Sequence, residues 1–346
     1  MRVHRTAAAG CALLFALATA GCAGQDDGTT DAAPASPSAS PSASPSASSG
    51  PTTAYAPYVS ATTAAATDTA GSPTTYNLAF VISSGVSSGD GCVPRWNGVQ
   101  DIDDASVASR VEKLRESGAA VRVSFGGASG TELAAACDSA SALAAAYGTA
   151  LDAAGSTRAD FDIEGDALTD AGSVALRSEA IALLQEQRDG LEVSFTLPVM
   201  PTGLDTDGLA LLASANDHGV QVSAVNLMTM NYGESYTADM GDYALASAKA
   251  AHTQLRKVFG TSDADAWRGM ALTSMLGVND VAGETFTLAD AAEVRAFAEE
   301  KGIAWVSMWA AFRDVQCAEG ASATDALTTC SGVEQKDGAF GTAFGA

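Results

Sequence analysis

From Tyr55 to the C-terminus, short apolar runs alternate with alanine-rich stretches of helical period. The runs Tyr55–Val59, Tyr76–Ile82, Ala120–Phe125, Arg158–Glu164, Leu191–Pro198, Val220–Met228, Gly269–Leu276 and Ala304–Trp309 read as strands. Helical patterns fall at Ser106–Ser117, Thr131–Ala153, Val174–Arg188, Asp239–Val258 and Leu288–Lys301. Strand followed by helix, repeated, predicts a parallel sheet with right-handed crossovers. Eight strands in about 290 residues predict a closed α/β fold, the (β/α)8 TIM barrel, as a single catalytic domain over residues 54–346. An open, doubly wound sheet holding a nucleotide is the alternative. It is disfavoured because no G-x-G-x-x-G follows a strand and no P-loop is present.

The first fifty residues follow neither pattern. Arg2 and Arg5 precede an apolar stretch, Ala7–Ala20, that is too short to span a bilayer, so residues 1–21 are expected to be an export signal. The end of that stretch, Leu17-Ala18-Thr19-Ala20-Gly21-Cys22, resembles the bacterial lipobox, which implies lipidation of Cys22. Residues 22–53 then turn to Ser, Pro, Ala, Thr and Gly, with Ser-Pro-Ser-Ala repeating through Ala35 to Ser48. Such a segment buries too little apolar surface to offset its ordering entropy and is expected to act as a tether. The chain is thus expected at the cell surface, touching membrane only through the lipid, or secreted if Cys22 is not lipidated.

Composition narrows the chemistry. With 18 Lys+Arg against 41 Asp+Glu the net charge is −23, the opposite of a nucleic-acid footprint. The three histidines (His4, His218, His252) lie far apart in sequence, which argues against a His-based metal site or catalytic triad, and no C-x-x-C occurs. No metal, no cofactor and a monomer are expected. Cys11 falls in the signal and Cys22 at the lipid site. The remaining Cys92, Cys137, Cys317 and Cys330 allow three pairings. Pairing 92 with 137 and 317 with 330 is expected, because the latter two bracket one loop and the former two flank the first clear helix.

In a barrel, reactive groups collect at the C-terminal ends of strands. The fourth predicted strand closes with Asp160-Phe161-Asp162-Ile163-Glu164. Period two puts the three acids on one face and Phe161 and Ile163 on the other, which belongs under the helices. Three inward carboxylates with successive Cα atoms ~6–7 Å apart repel one another. The inner ones are expected to share protons, and the outermost to be raised toward the range of a general acid.

This Asp160-x-Asp162-x-Glu164 resembles the core of the D-x-x-D-x-D-x-E signature of glycoside hydrolase family 18, the chitinases, with Thr157 in place of the first Asp. Ser124-Phe125-Gly126-Gly127 resembles the family's S-x-G-G. Trp309 matches the tryptophan beneath the sugar at the cleavage point. Met228-Thr229-Met230-Asn231-Tyr232 is similar to a branch of the family in which M-x-M-[D/N]-Y replaces M-x-Y-D. Tyr55-Ala56-Pro57-Tyr58 and Gly277-Val278-Asn279-Asp280 look like the same branch.

The resemblance implies hydrolysis of β-1,4-linked N-acetylglucosamine, in chitin or its oligosaccharides, with retention and with the substrate's acetamido oxygen as nucleophile. On that reading Glu164 is the acid and base, Asp162 orients the acetamido group, Asp160 holds Asp162, and Tyr232 hydrogen-bonds the acetamido oxygen. Trp309, Met228, Met230, Asn231, Tyr58, Phe80, Gly126 and Gly127 bind the sugar, with core packing an equal alternative for the two methionines, Tyr58 and Phe80. Because Asn231 removes a charge that relatives carry, Glu164 is expected to lose its proton at lower pH, held up only by Asp160 and Asp162, with best activity on the acidic side. An endo-β-N-acetylglucosaminidase of the same family, a non-catalytic chitin-binding lectin and a solute-binding lipoprotein are the competing readings.

Overall fold

The computed structural model describes residues 52–84 and 91–346. The expected signal at 1–21, Cys22 and the tether up to residue 51 lie outside the described residues.

The strands are β1 (Ala54–Tyr55), β2 (Tyr58–Ser60), β3 (Thr75–Ser83), β4 (Pro94–Trp96), β5 (Gln100–Asp101), β6 (Ala120–Gly126), β7 (Arg158–Asp162), β8 (Glu192–Pro198), β9 (Val222–Met228), β10 (Met270–Met275), β11 (Gly277–Val278), β12 (Thr285–Phe286) and β13 (Trp305–Trp309). The helices of the barrel are α1 (Ala105–Arg115), α2 (Ala140–Ala154), the short α3 (Asp166–Thr169), α4 (Ala171–Gln187), α5 (Thr206–Asp217), α6 (Met240–Phe259), the short α7 (Asp263–Arg268) and α8 (Leu288–Lys301). In the main sheet β3, β6, β7, β8, β9, β10 and β13 pair in parallel, neighbour to neighbour. The eighth stave is split: β1 pairs β13 and β2 pairs β3, so the sheet closes on itself. The predicted run Tyr55–Val59 breaks at Ala56-Pro57, where Ala56 N donates to Val306 O at 2.9 Å on one side and Asn77 N donates to Pro57 O at 3.0 Å on the other. Proline has no N–H to give the ladder, so the change of partner falls there. The (β/α)8 barrel expected from the alternation is the observed fold.

Three boundaries differ from the sequence reading. The helix read from Thr131 begins at Ala140, after Ser139, whose hydroxyl accepts from Ala142 N. Before it lies a 3₁₀ turn, Leu133–Ala135, capped by Glu132. The fourth barrel strand stops at Asp162, leaving Glu164 on the turn above it. Helix α5 was not anticipated, since Gly208 and the final Asn216-Asp217 dilute its pattern, yet Leu211, Leu212 and Ala215 are buried.

Period-two alternation sorts the chemistry of β7 as expected. Phe161 and Ile163 are fully buried, and Phe161 stacks on Phe125 (5.3 Å) with Tyr147 of α2 edge-on at 5.0 Å. Burial of one such ring contributes about 1.5–3 kcal/mol, enough to fix which face points inward. Below the acids, Arg122 lies 4.1 Å over the Trp305 ring and donates to Asn77 Oδ1 at 2.8 Å, filling the barrel floor. Both expected disulfides are present, Cys92–Cys137 with Cα atoms 4.5 Å apart and Cys317–Cys330 with 5.1 Å.

Candidate active site

The three acids of β7 form a ladder rising to the C-terminal mouth. Asp160 is buried and accepts four hydroxyl hydrogen bonds. Tyr58 (2.9 Å) and Ser124 (2.7 Å) donate to Oδ2, and Ser194 (2.7 Å) and Thr196 (2.8 Å) to Oδ1. Behind Thr196 the chain continues through Asn226 Nδ2 (3.0 Å), whose Oδ1 accepts from Thr273 at 2.9 Å. Donors from three strands, β2, β6 and β8, thus converge on one carboxylate, with β9 and β10 joined behind Thr196. This corrects the expectation that the two inner acids share protons: four donors occupy the acceptor sites of Asp160. One step higher the two outer acids perturb each other: Glu164 raises Asp162, and Asp162 lowers Glu164.

Burial, then the charges of Glu164 and Asp160, push Asp162 well above the usual carboxylate range. Its Oδ1 is buried without a hydrogen-bond partner among the described residues. Glu164 is raised to about 7, chiefly by burial and further by Asp280, against a lowering hydrogen bond from Asp162. A proton donor poised near neutrality is what general acid catalysis requires.

The backbone of the S-x-G-G segment is what lets these groups come together. A Cβ at Gly126 (φ +97) would sit 2.1 Å from Asp162 O, and Gly127 N donates to that same carbonyl at 2.9 Å. Only glycine allows that approach. Gly126 and Gly127 therefore shape the strand end rather than line the cavity, where Ala128 stands instead.

Above the acids opens a cleft at the C-terminal mouth of the barrel. Tyr58, Phe80, Asp162, Glu164, Met228, Met230, Asn231 and Trp309, all expected at the site, line it. Trp309 and Phe80 are half-buried and stack on each other at 5.4 Å, giving an aromatic floor. Both lie beside non-prolyl cis peptide bonds, Ala79–Phe80 and Trp309–Ala310.

Tyr232 is not at the cleft. Asn231 takes a left-handed conformation (φ +54), which ends the alternation of β9 and turns Tyr232 outward under α6. There its hydroxyl accepts from Ser247 at 3.3 Å and its ring packs on Tyr236 and Tyr243. The turn is held by Glu284, which accepts from Gly233 N at 2.8 Å.

Asp280 is the residue that strand-by-strand reading missed as a site group. It sits in the loop after β10, where no period marks an inward face, although the stretch 277–280 already carried the resemblance. Asn231 Nδ2 donates to Asp280 Oδ2 at 3.0 Å, and Asp280 N returns a bond to Asn231 Oδ1 at 3.1 Å. Asp280 lines the cleft and its charge raises Glu164. The expectation that only Asp160 and Asp162 hold the acid up is therefore corrected: burial and the charge of Asp280 raise it, while Asp162 lowers it. Ser194, Thr196 and Thr273 also went unremarked, though their inward parity on β8 and β10 was readable.

No protein-family model matches the sequence. Over 279 residues, 75% of this chain, it is 33% identical to a probable bifunctional chitinase/lysozyme of Escherichia coli (strain K12). Over 282 residues, 76% of this chain, it is 33% identical to endochitinase 11 of Metarhizium anisopliae. The matches cover 31% and 53% of those curated relatives. Among solved structures, the catalytic domain of a hyperthermophilic chitinase from Pyrococcus furiosus superposes with a TM-score of 0.73 at 28% identity, covering 85% of this chain and 94% of that one. Over three quarters of the chain the barrel is chitinase-like. A family 18 chitinase from Pseudoalteromonas aurantia, at 15% identity and a TM-score of 0.54, shares the fold. Within this chitinase-like barrel the acid ladder, the glycine approach and the tryptophan floor stand where the sequence motifs had placed them. The departure is on β9, where Tyr232 leaves the cleft and Asn231 joins Asp280.

Proposed function

We propose that this barrel hydrolyses β-1,4-linked N-acetylglucosamine chains with retention, using the substrate's acetamido oxygen as nucleophile. Glu164 gives its proton to the glycosidic oxygen as that C–O bond breaks, so the leaving sugar departs as an alcohol. The acetamido oxygen closes on the anomeric carbon from the opposite face, and Asp162 bears the positive charge that develops on the ring so formed. Water then opens the ring, passing its proton to Glu164, and the acid is restored. The observation that carries this reading is the unpartnered Oδ1 of Asp162 beside a Glu164 raised to about 7, over an aromatic floor. Release of a chromophore from a chitobiose glycoside tests the proposal. Absence of release from the full chain contradicts it, as does release from a fully deacetylated analogue at a similar rate.

Export is proposed on the sequence alone: cleavage before Cys22, with lipidation of that cysteine and residues 23–53 as tether. Mass spectrometry of the mature N-terminus checks it; an unmodified Cys22, or cleavage elsewhere, contradicts the anchor.

A further inference from the structure

Glu164 stands between two hollows. Beyond the cleft over Trp309 lies a second hollow, walled by Met200, Met228 and Met230 and bordered by Asp205. Glu164, Met228, Met230 and Asn231 line both, so the proton donor stands where the two hollows meet.

The chemistry of the proposed reaction assigns the halves. The sugar whose acetamido group reacts must lie with Asp162 and the Trp309 floor. The glycosidic oxygen takes its proton from Glu164, so the sugar on its far side lies past Glu164, in the second hollow. The thioethers there offer a polarisable apolar surface to a pyranose face and no hydrogen to donate.

The polar group is Asp205. Its Oδ1 caps α5 by accepting from Gly208 N at 2.8 Å, while Oδ2 of this exposed side chain makes no hydrogen bond among the described residues. The carboxylate stands on a stiff turn. Met200 and Gly203 exchange backbone bonds at 3.0 and 2.8 Å, and Gln254 of α6 clasps Leu204 N and O at 2.8 and 2.9 Å. None of the described residues lining either hollow is basic. An acceptor-only group without a competing cation selects a donor, and an ammonium is the strongest donor a sugar of this class can present.

We propose that the second hollow is the leaving-group subsite and that Asp205 makes it favour glucosamine over N-acetylglucosamine, so that the enzyme acts on partly deacetylated chitin. The inference rests on the proposed function. The two halves then differ in demand: the bond is cut after an N-acetylated sugar, whose acetamido group is the nucleophile, and before a deacetylated one, whose ammonium binds Asp205.

The test is digestion of a partly N-acetylated chitosan by the full chain at acid pH, with the sugars at the new chain ends assigned by NMR and mass spectrometry. New reducing ends should all be N-acetylated, and new non-reducing ends should be richer in glucosamine than the polymer itself. Asp205→Asn keeps a capping residue at the start of α5. It should lower the ratio of glucosamine to N-acetylglucosamine at the new non-reducing ends, taken relative to the polymer, about five- to tenfold, the worth of a charge-assisted hydrogen bond over a neutral one, whatever it does to total turnover. An unchanged ratio in the variant overturns the assignment. A wild-type chain that cleaves acetylated oligomers but leaves only N-acetylglucosamine at new non-reducing ends overturns this inference and leaves the proposed function standing. A chain that cleaves neither polymer overturns the proposed function itself.

Discussion

Replacing Asp280 by Asn removes one negative charge from the cleft while keeping the side chain's size and its bond from Asn231. Glu164 titrates at about 7, so near neutrality about half the molecules hold the catalytic proton. Burial is the larger cause and is untouched by the change; Asp280 supplies the charge repulsion. A like charge one side chain away, facing a wet cleft, raises a carboxyl by roughly 0.5–1 pH unit. Without it Glu164 ionises more readily, and the basic limb of kcat/KM falls to roughly pH 6–6.5. At pH 7 the protonated fraction drops from about a half to about a tenth to a quarter, so kcat/KM falls about two- to fivefold, a loss that shrinks as the pH is lowered. The assay is a matched pair of pH–rate profiles on a chromogenic chitobioside, with Asp280→Glu as the charge-keeping control. A limb that stays in place or rises would refute the role of Asp280. Asn231→Asp tests the same circuit from the other side. It sets a new carboxyl against Asp280 Oδ2, now 3.0 Å from Asn231 Nδ2, and the added negative charge should move the limb upward.

Glu164→Gln cannot give or take the proton, and turnover should fall by about 10²–10⁴-fold with substrate binding retained; near wild-type turnover would displace the acid from this residue. The same variant should be the more stable protein above neutrality. Glu164 is raised from 4.5 to about 7 on folding, so the stability it contributes is complete below its ordinary range and lost as pH rises through about 7. A glutamine escapes that loss, worth roughly 1–3 kcal/mol, and equal differences in thermal midpoint at pH 4.5 and 8 would contradict the sign. Tyr232→Phe should change kcat/KM less than about threefold, because among the described residues its hydroxyl bonds only with Ser247; a loss of a hundredfold would return Tyr232 to the reaction. Opening Cys92–Cys137, which closes a 45-residue separation, should lower stability by about 2–4 kcal/mol, read by chemical denaturation of the double Ser variant.

What the sequence disclosed followed from periodicity. The eight apolar runs were legible because every stave of a parallel barrel is covered on its outer face, and the acids of β7 because Phe161 and Ile163 could face only the helices. Legibility ended where the strands end. Glu164 lies past the last residue of β7, and Tyr232 lies past a left-handed Asn231, so extending the alternation by two residues succeeded in one case and failed in the other. Asp280 and Asp205 come from loops, whose inward positions follow from turn geometry and caps rather than from a period. Asp160 could be placed from the sequence. Its four donors could not, since Tyr58, Ser124, Ser194 and Thr196 become neighbours only when the barrel closes.

The central claim is that the substrate's own acetamido group attacks, with Glu164 as the proton donor. Proton NMR of the first product released from an N-acetylglucosamine hexamer tests it most directly, taken before mutarotation blurs the anomers. Two displacements at the anomeric carbon predict the β-anomer, with Glu164→Gln abolishing its appearance. An initial α-anomer would contradict the mechanism.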